Sequence, residues 1–192
     1  MPTRPLLLFD KPGPTNTSAV LEAVRARVAE LGIRHVVVAS STGGTALRFA
    51  DALKDAGAAV VCVTAHAGFN GGDSVALEPD KRKALEARGV PIVMCAHALS
   101  GVGRSISNKF GGVTPVEIIA HTLRRFGEGV KVAVEIAVMA ADAGAIPTDK
   151  DVIAVGGSGK GADTALVLKA AHMNNFFDLQ VREVIALARR TH

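Results

Sequence analysis

Tryptophan and tyrosine are absent from this chain, and seven phenylalanines are its whole aromatic supply. Binding to single-stranded nucleic acid leans on aromatic faces set among clustered cations. Here 22 Lys and Arg stand against 18 Asp and Glu, a formal charge of +4, and they are spread along the sequence. Lys81-Arg82-Lys83, Arg124-Arg125 and Arg189-Arg190 are short clusters that read as solvated faces. A nucleic-acid partner is therefore not expected.

Long apolar runs are missing too. Residues 6–9 and 36–39 are apolar but strand-sized, far below the roughly 20 residues of a membrane-spanning helix, so no membrane partner is expected. The N-terminus has one early Arg and no long apolar stretch, which argues against a secretory leader. Cys62 and Cys95 sit inside apolar runs without the spacing of a disulfide framework, so the expectation is free core thiols in a reducing cytoplasm. There is no H-x-x-x-H, no C-x-x-C and no carboxylate cluster at ligand spacing, so no metal is expected. Ser158, in G-G-S-G, does not match the G-x-S-x-G nucleophile elbow. No catalytic residue is identified.

Apolar side chains are plentiful, at 48% of residues with a mean hydropathy of +0.29. A buried subunit interface is one outlet for that excess, and a homo-oligomer is expected. The 192 residues suit one domain, 1–192. Apolar positions Val20, Val24, Val28 and Leu31 recur at helical spacing, and Gly32 stops that helix, with Asn16 or Thr17 placed to cap it. Strands are expected at 35–39, 59–64, 91–96, 151–155, 164–169 and 181–187. Helices are expected at 45–56, 80–88 and 115–126, the last capped by Thr114 with Pro115 in its first turn. Residues 130–143 alternate like a strand but are long and Ala-rich and close on Gly144, which favours a buried helix. Strands alternating with helices imply a three-layer α/β/α sandwich around a mostly parallel sheet. The last two strands have no helix between them, which suggests an antiparallel C-terminal edge.

Ligands of open α/β sheets bind beyond the carboxyl ends of the strands. Ser40-Ser41-Thr42-Gly43-Gly44-Thr45 lies there, between a buried strand and the head of a helix. Glycines let a backbone approach an anion closely, hydroxyls donate hydrogen bonds, and the helix N-terminus adds partial positive charge. The plainer alternative is a hydroxyl-rich cap whose glycines only tighten a turn. Neither G-x-x-x-x-G-K-[ST] nor G-x-G-x-x-G is present, and no acidic residue ends the next strand. Triphosphate hydrolysis and dinucleotide binding lose ground accordingly.

Two resemblances meet at this turn. S-x-T-G-x-T is similar to the loop with which flavodoxins hold the phosphate of flavin mononucleotide (FMN). The unit from residue 35 to 64, containing VVVASSTGGTALRFADALKDAGAAVVCVT, resembles the C-terminal α/β domain of pyruvate kinase. There the corresponding strand-turn-helix binds a phosphate of a sugar-bisphosphate activator. FDKPGPTNT at 9–17, KVAVEIAVMAADAG at 131–144 and GGSGKGADTALVLKAA at 156–171 resemble stand-alone, largely prokaryotic relatives of that domain. The resemblance implies the fold and an anion site. It does not imply kinase activity, because 192 residues cannot also hold the barrel that carries the kinase's metal, phosphoenolpyruvate and ADP sites.

A parallel sheet brings three more strand ends to the same rim. Thr64, His66 and Phe69 follow one, His97, Ser100 and Arg104 another. Gly156, Gly157 and Ser158 open a Gly-rich loop with Lys160 after a third. That loop could cradle a second anionic or carbonyl group, or be a flexible hairpin. His66 and His97 read as wall groups ahead of proton shuttles. Glu135 and Asp142, seven apart, fall on one helix face, where they could meet a ligand, an Arg or solvent. The expected function is binding or sensing of a phosphorylated small molecule, with FMN the most specific candidate. The alternatives are an enzyme acting on a phosphorylated metabolite, or on electrons through flavin, and a ligand-free oligomer with a vestigial turn.

Overall fold

A computed structural model describes residues 3–189. Its scaffold is a seven-stranded sheet: β1 (Leu7–Phe9), β2 (His35–Ala39), β3 (Ala59–Thr64), β4 (Ile92–Met94), β5 (Asp151–Gly156), β6 (Thr164–Lys169) and β7 (Gln180–Ala188), in the spatial order β1-β7-β6-β5-β2-β3-β4. β6 is antiparallel to both its neighbours, β5 and β7, and every other pairing is parallel. Six strands therefore point one way and β6 alone opposes them. The C-terminal strands add antiparallel, and the short β1 takes the outer edge beside β7.

Alternation assigns the faces. In β2, Val36 and Val38 join the core on one side and Val37 the core on the other. Ile153 and Val155 of β5 follow the first pair, Val152 and Ala154 the second. The first face is covered by α1 (Thr17–Leu31), α2 (Gly44–Leu53) and α3 (Pro79–Ala87), through Val20, Val24, Phe49, Leu53 and Leu85. The second is covered by α5 (Pro115–Leu123) and α6 (Glu128–Asp142). This is a three-layer sandwich.

α6 explains why residues 130–143 were ambiguous in sequence. Twelve of its 15 residues are buried, because the sheet lies on one side and α5 and the chain after β4 and β6 on the other. A helix buried all round has no polar stripe to betray its period. α5 carries the expected cap: Thr114 and Glu117 form a reciprocal capping box, with Pro115 in the first turn. Asn16 occupies the N-cap position of α1, but its side chain donates instead to the Lys11 carbonyl.

α4 (Val102–Phe110) is a helix that was not among those expected from the sequence. None of its residues is buried, and its apolar positions Val102, Ile106 and Phe110 face solvent. Cys95 is exposed rather than a core thiol, because β4 ends at Met94, while Cys62 is buried as expected. Among the described residues, no helix is long and apolar enough to cross a membrane.

Candidate functional site

The chain runs outward from β2 to β3 and β4, then returns to lay β5 on the other side of β2. The strand order reverses between β2 and β5, and crevices open at the carboxyl ends of strands at such points. A cavity of about 600 Å³ lies there, within the range usual for small-molecule sites. It is walled by the turn after β2, the end of β3, the chain after β4, the loop after β5 and one face of α6.

Ser40, Ser41, Thr42 and Thr45 line it. The buried Ser40 is partly committed: its Oγ accepts the Ala46 N–H at 3.1 Å, and its carbonyl accepts the Gly43 N–H at 3.2 Å. Thr64 Oγ1 donates to the Ser41 carbonyl at 2.8 Å and so pins the turn to the end of β3. Ser40 and Thr64 shape the turn. A helix begins with N–H groups that have no intrahelical acceptor; with Gly43 and Ala46 served, those of Gly44 and Thr45 remain for something outside the helix.

Gly43 has a packing reason to be glycine. Its φ is +94°, and a Cβ there would stand 2.9 Å from both Leu77 Cδ1 and Lys81 Cβ. Gly44 brings in a residue that the sequence gave no reason to place here. A Cβ on Gly44 would lie 3.7 Å from Lys81 Nζ, so the α3 ammonium stands beside the head of α2. It is paired there with Glu78, which also lines the cavity, at 2.8 Å.

His97 and Phe69 line the cavity, and His66 packs against both: ring centroids are 4.9 Å apart for His66–His97, 5.0 Å for Phe69–His97 and 5.5 Å for His66–Phe69. Burial is the main cause that holds the His97 pKa below its ordinary value, so the ring stays neutral at neutral pH. His66 Nδ1 donates to the Ala67 carbonyl at 2.6 Å.

After β5, Gly157, Gly159, Lys160 and Gly161 face the cavity, whereas Gly156 and Ser158 do not. Ser158 gives its N–H to Asp163 Oδ2 at 3.0 Å. The same oxygen accepts the Gly13 N–H, also at 3.0 Å, and Asp163 Oδ1 accepts the Thr164 hydroxyl. A fully buried carboxylate thus ties the loop to the N-terminal segment.

α6 contributes Lys131 and Glu135, one turn apart, both buried and in direct contact through Nζ and Oε2. Glu135 Oε1 accepts the Leu99 N–H at 2.9 Å. Burial lowers the Lys131 pKa, and the Glu135 carboxylate partly restores it. Asp142 does not join Glu135; it meets His172 and the Met173 N–H at the far end of the helix. Four cationic residues line the cavity, Arg104, Arg124, Lys131 and Lys160, against the carboxylates of Glu78 and Glu135. Both carboxylates are already paired with lysines. Sequence pattern offered Arg124 only as part of a solvated cluster and gave no signal for Lys131, because neither sits in a recognisable motif. Among the described residues, no group of three or more His, Cys, Asp or Glu could hold a metal.

Residues 18–168 match the family model of the pyruvate kinase alpha/beta domain. The match runs from the start of α1 into β6 and so takes in every wall of the cavity.

Proposed function

The chain belongs to the pyruvate kinase α/β-domain family, and from that membership and the cavity's chemistry we propose that it binds or senses a phosphorylated small molecule, FMN being the best candidate. The observation that carries this reading is the head of α2. Hydroxyls of Thr42 and Thr45 line the cavity beside a helix N-terminus whose Gly44 and Thr45 N–H groups have no acceptor in the helix. The cationic excess around the cavity favours a dianion over a neutral ligand. The cluster of Phe69, His97 and His66 offers ring faces and edges for a flavin to pack against, a weaker grip than Tyr or Trp would give.

The test compares FMN with riboflavin, which differ by the phosphate alone. Fluorescence titration of the wild-type protein is expected to show tighter binding of FMN. Thr42→Ala together with Thr45→Ala should remove most of that preference. A protein that binds no FMN, or whose preference survives both substitutions, contradicts the proposal.

The neutral His97 and the buried Lys131 in the same cavity give a second reading, an enzyme acting on the bound metabolite or through bound flavin on electrons. Turnover of a reduced nicotinamide by FMN-loaded protein separates it from binding alone. We also propose a homo-oligomer. The unburied apolar face of α4, at Val102, Ile106 and Phe110, supports it, and light scattering of Phe110→Lys against wild type tests it.

A further inference from the structure

Lys131 is a costly residue to keep where it is. Its side chain is 6% exposed, and a buried ammonium is tolerated only when it is paired and hydrogen-bonded. An ammonium has three donors. One goes to Glu135 Oε2, and among the described residues Nζ has no other acceptor. Glu135 is itself held in place, since its second oxygen accepts the Leu99 N–H. The pair therefore presents two unspent N–H donors in the wall of a cavity and keeps its carboxylate occupied with holding them there.

The position is as telling as the valence. α2 covers one face of the sheet and α6 the other. The head of α2 and Lys131 consequently reach the cavity from opposite faces, across the carboxyl end of β2. A ligand with its phosphate over the head of α2 extends its other end toward α6.

We infer that Lys131 is a second binding residue, whose ammonium, held by Glu135, donates to a carbonyl or carboxylate oxygen on the end of the ligand remote from its phosphate. The inference rests on the phosphate reading above and adds a requirement to it: the ligand carries an oxygen acceptor at each end. An alkyl phosphate meets only half of that requirement. The ring carbonyls of a flavin, or the acid group of a phosphorylated hydroxy acid, meet all of it.

FMN and riboflavin again serve as probes, because both carry the ring carbonyls and only one carries the phosphate. Lys131→Met alone would strand the Glu135 carboxylate, so the informative variant pairs it with Glu135→Gln, whose amide oxygen still accepts the Leu99 N–H. Circular dichroism and the melting temperature check its fold. Loss of a charge-assisted hydrogen bond should weaken FMN and riboflavin alike, by about ten- to a hundredfold, and leave their ratio unchanged. The threonine variants should change the ratio and spare riboflavin. If the folded Lys131 variant binds both probes as wild type does, the inference is overturned, and a wild-type protein that binds neither probe overturns it too. If the variant loses both probes while the threonine substitutions leave the ratio alone, the second contact stands and the phosphate anchor falls.

Discussion

The carbonyl oxygen of Gly129 lies 2.3 Å from the point where a Cβ on Gly156 would stand. The first turn of α6 thus rests directly on the last residue of β5, backbone against backbone. This contact sets the depth at which α6 crosses the sheet, and with it the position of Lys131 two residues further on.

Gly156→Ala should accordingly push α6 away from β5. Backbone cannot yield as a side-chain tip does, and overpacking of a core typically costs about 1–3 kcal/mol. The expected loss lies at the upper end of that range, measured by urea denaturation. Gly159→Ala is the comparison. Its φ of +92° disfavours a side chain, but nothing stands within 4 Å of the added Cβ, so only the backbone strain of about 1 kcal/mol is expected. Equal losses at the two positions would contradict the contact.

Asp163 should be the most sensitive side chain outside the cavity. Oδ2 accepts from both Gly13 and Ser158, and Oδ1 from Thr164, and among the described residues Asp163 makes no salt bridge. Removing it strands two buried or half-buried N–H groups. Hydrogen bonds to a charged acceptor contribute about 1.5–3 kcal/mol each. Asp163→Ala is expected to lose at least about 3 kcal/mol, and Asp163→Asn, which keeps one acceptor oxygen, clearly less. Amide hydrogen exchange supplies the local readout: the N–H groups of Gly13 and Ser158 should lose protection together in Asp163→Ala. Independent behaviour of the two amides would sink the idea that one oxygen holds both.

The capping box of α5 gives a pH dependence with a definite sign. Glu117 accepts from the Thr114 N–H and from the Ser107 and Thr114 hydroxyls, and these bonds hold its pKa below the ordinary 4.5. A carboxylate depressed by folding adds stability above its unfolded pKa, and that contribution is lost as pH falls through the lower, folded value. Glu117→Gln cannot titrate. Its melting temperature should lie below that of wild type at pH 7, and the gap should narrow as pH falls below the ordinary 4.5. A gap that is constant across that range would show that the charge of Glu117 plays no part.

Particular residues show which features the sequence could disclose. Strands β2, β3 and β6 were legible to the residue, because short apolar runs of strand length have few other uses in an α/β chain. The turn after β2 was legible as a motif. The opposing wall was legible only in part, through Glu135, which was open to meeting a ligand and does line the cavity. Lys131 lies within an apolar run and is brought to the cavity by the pitch of α6, and Lys81 reaches the head of α2 only because α3 packs there. α4 was missed because its sequence, VGRSISNKF, mixes glycine, serine and asparagine with apolar residues that face outward. Val102, Ile106 and Phe110 do stand at helical spacing, but the turn-forming residues between them read as loop. Gly156 illustrates the converse: its place in a Gly-rich loop suggested a ligand, while its geometry shows a helix packed against it.

The two cysteines should differ sharply in reactivity. Cys62 lies in the middle of β3 beneath the turn after β2, and burial pushes its thiol pKa up to about 12. The thiolate is the reacting species, so at pH 8 almost none of Cys62 is in reactive form even before access is considered. Cys95 is exposed, although partial desolvation and the charge of Asp142 raise its pKa above the ordinary 9.0. An aromatic disulfide reagent is therefore expected to modify a single thiol in the folded protein, with a rate that climbs as pH rises through 9. Cys95→Ser should abolish that reaction, and denaturant should then restore one equivalent from Cys62. If Cys62 reacts first, or if both react together without denaturant, β3 opens far more readily than its burial implies, and the turn that rests on it is not the rigid feature a ligand site needs.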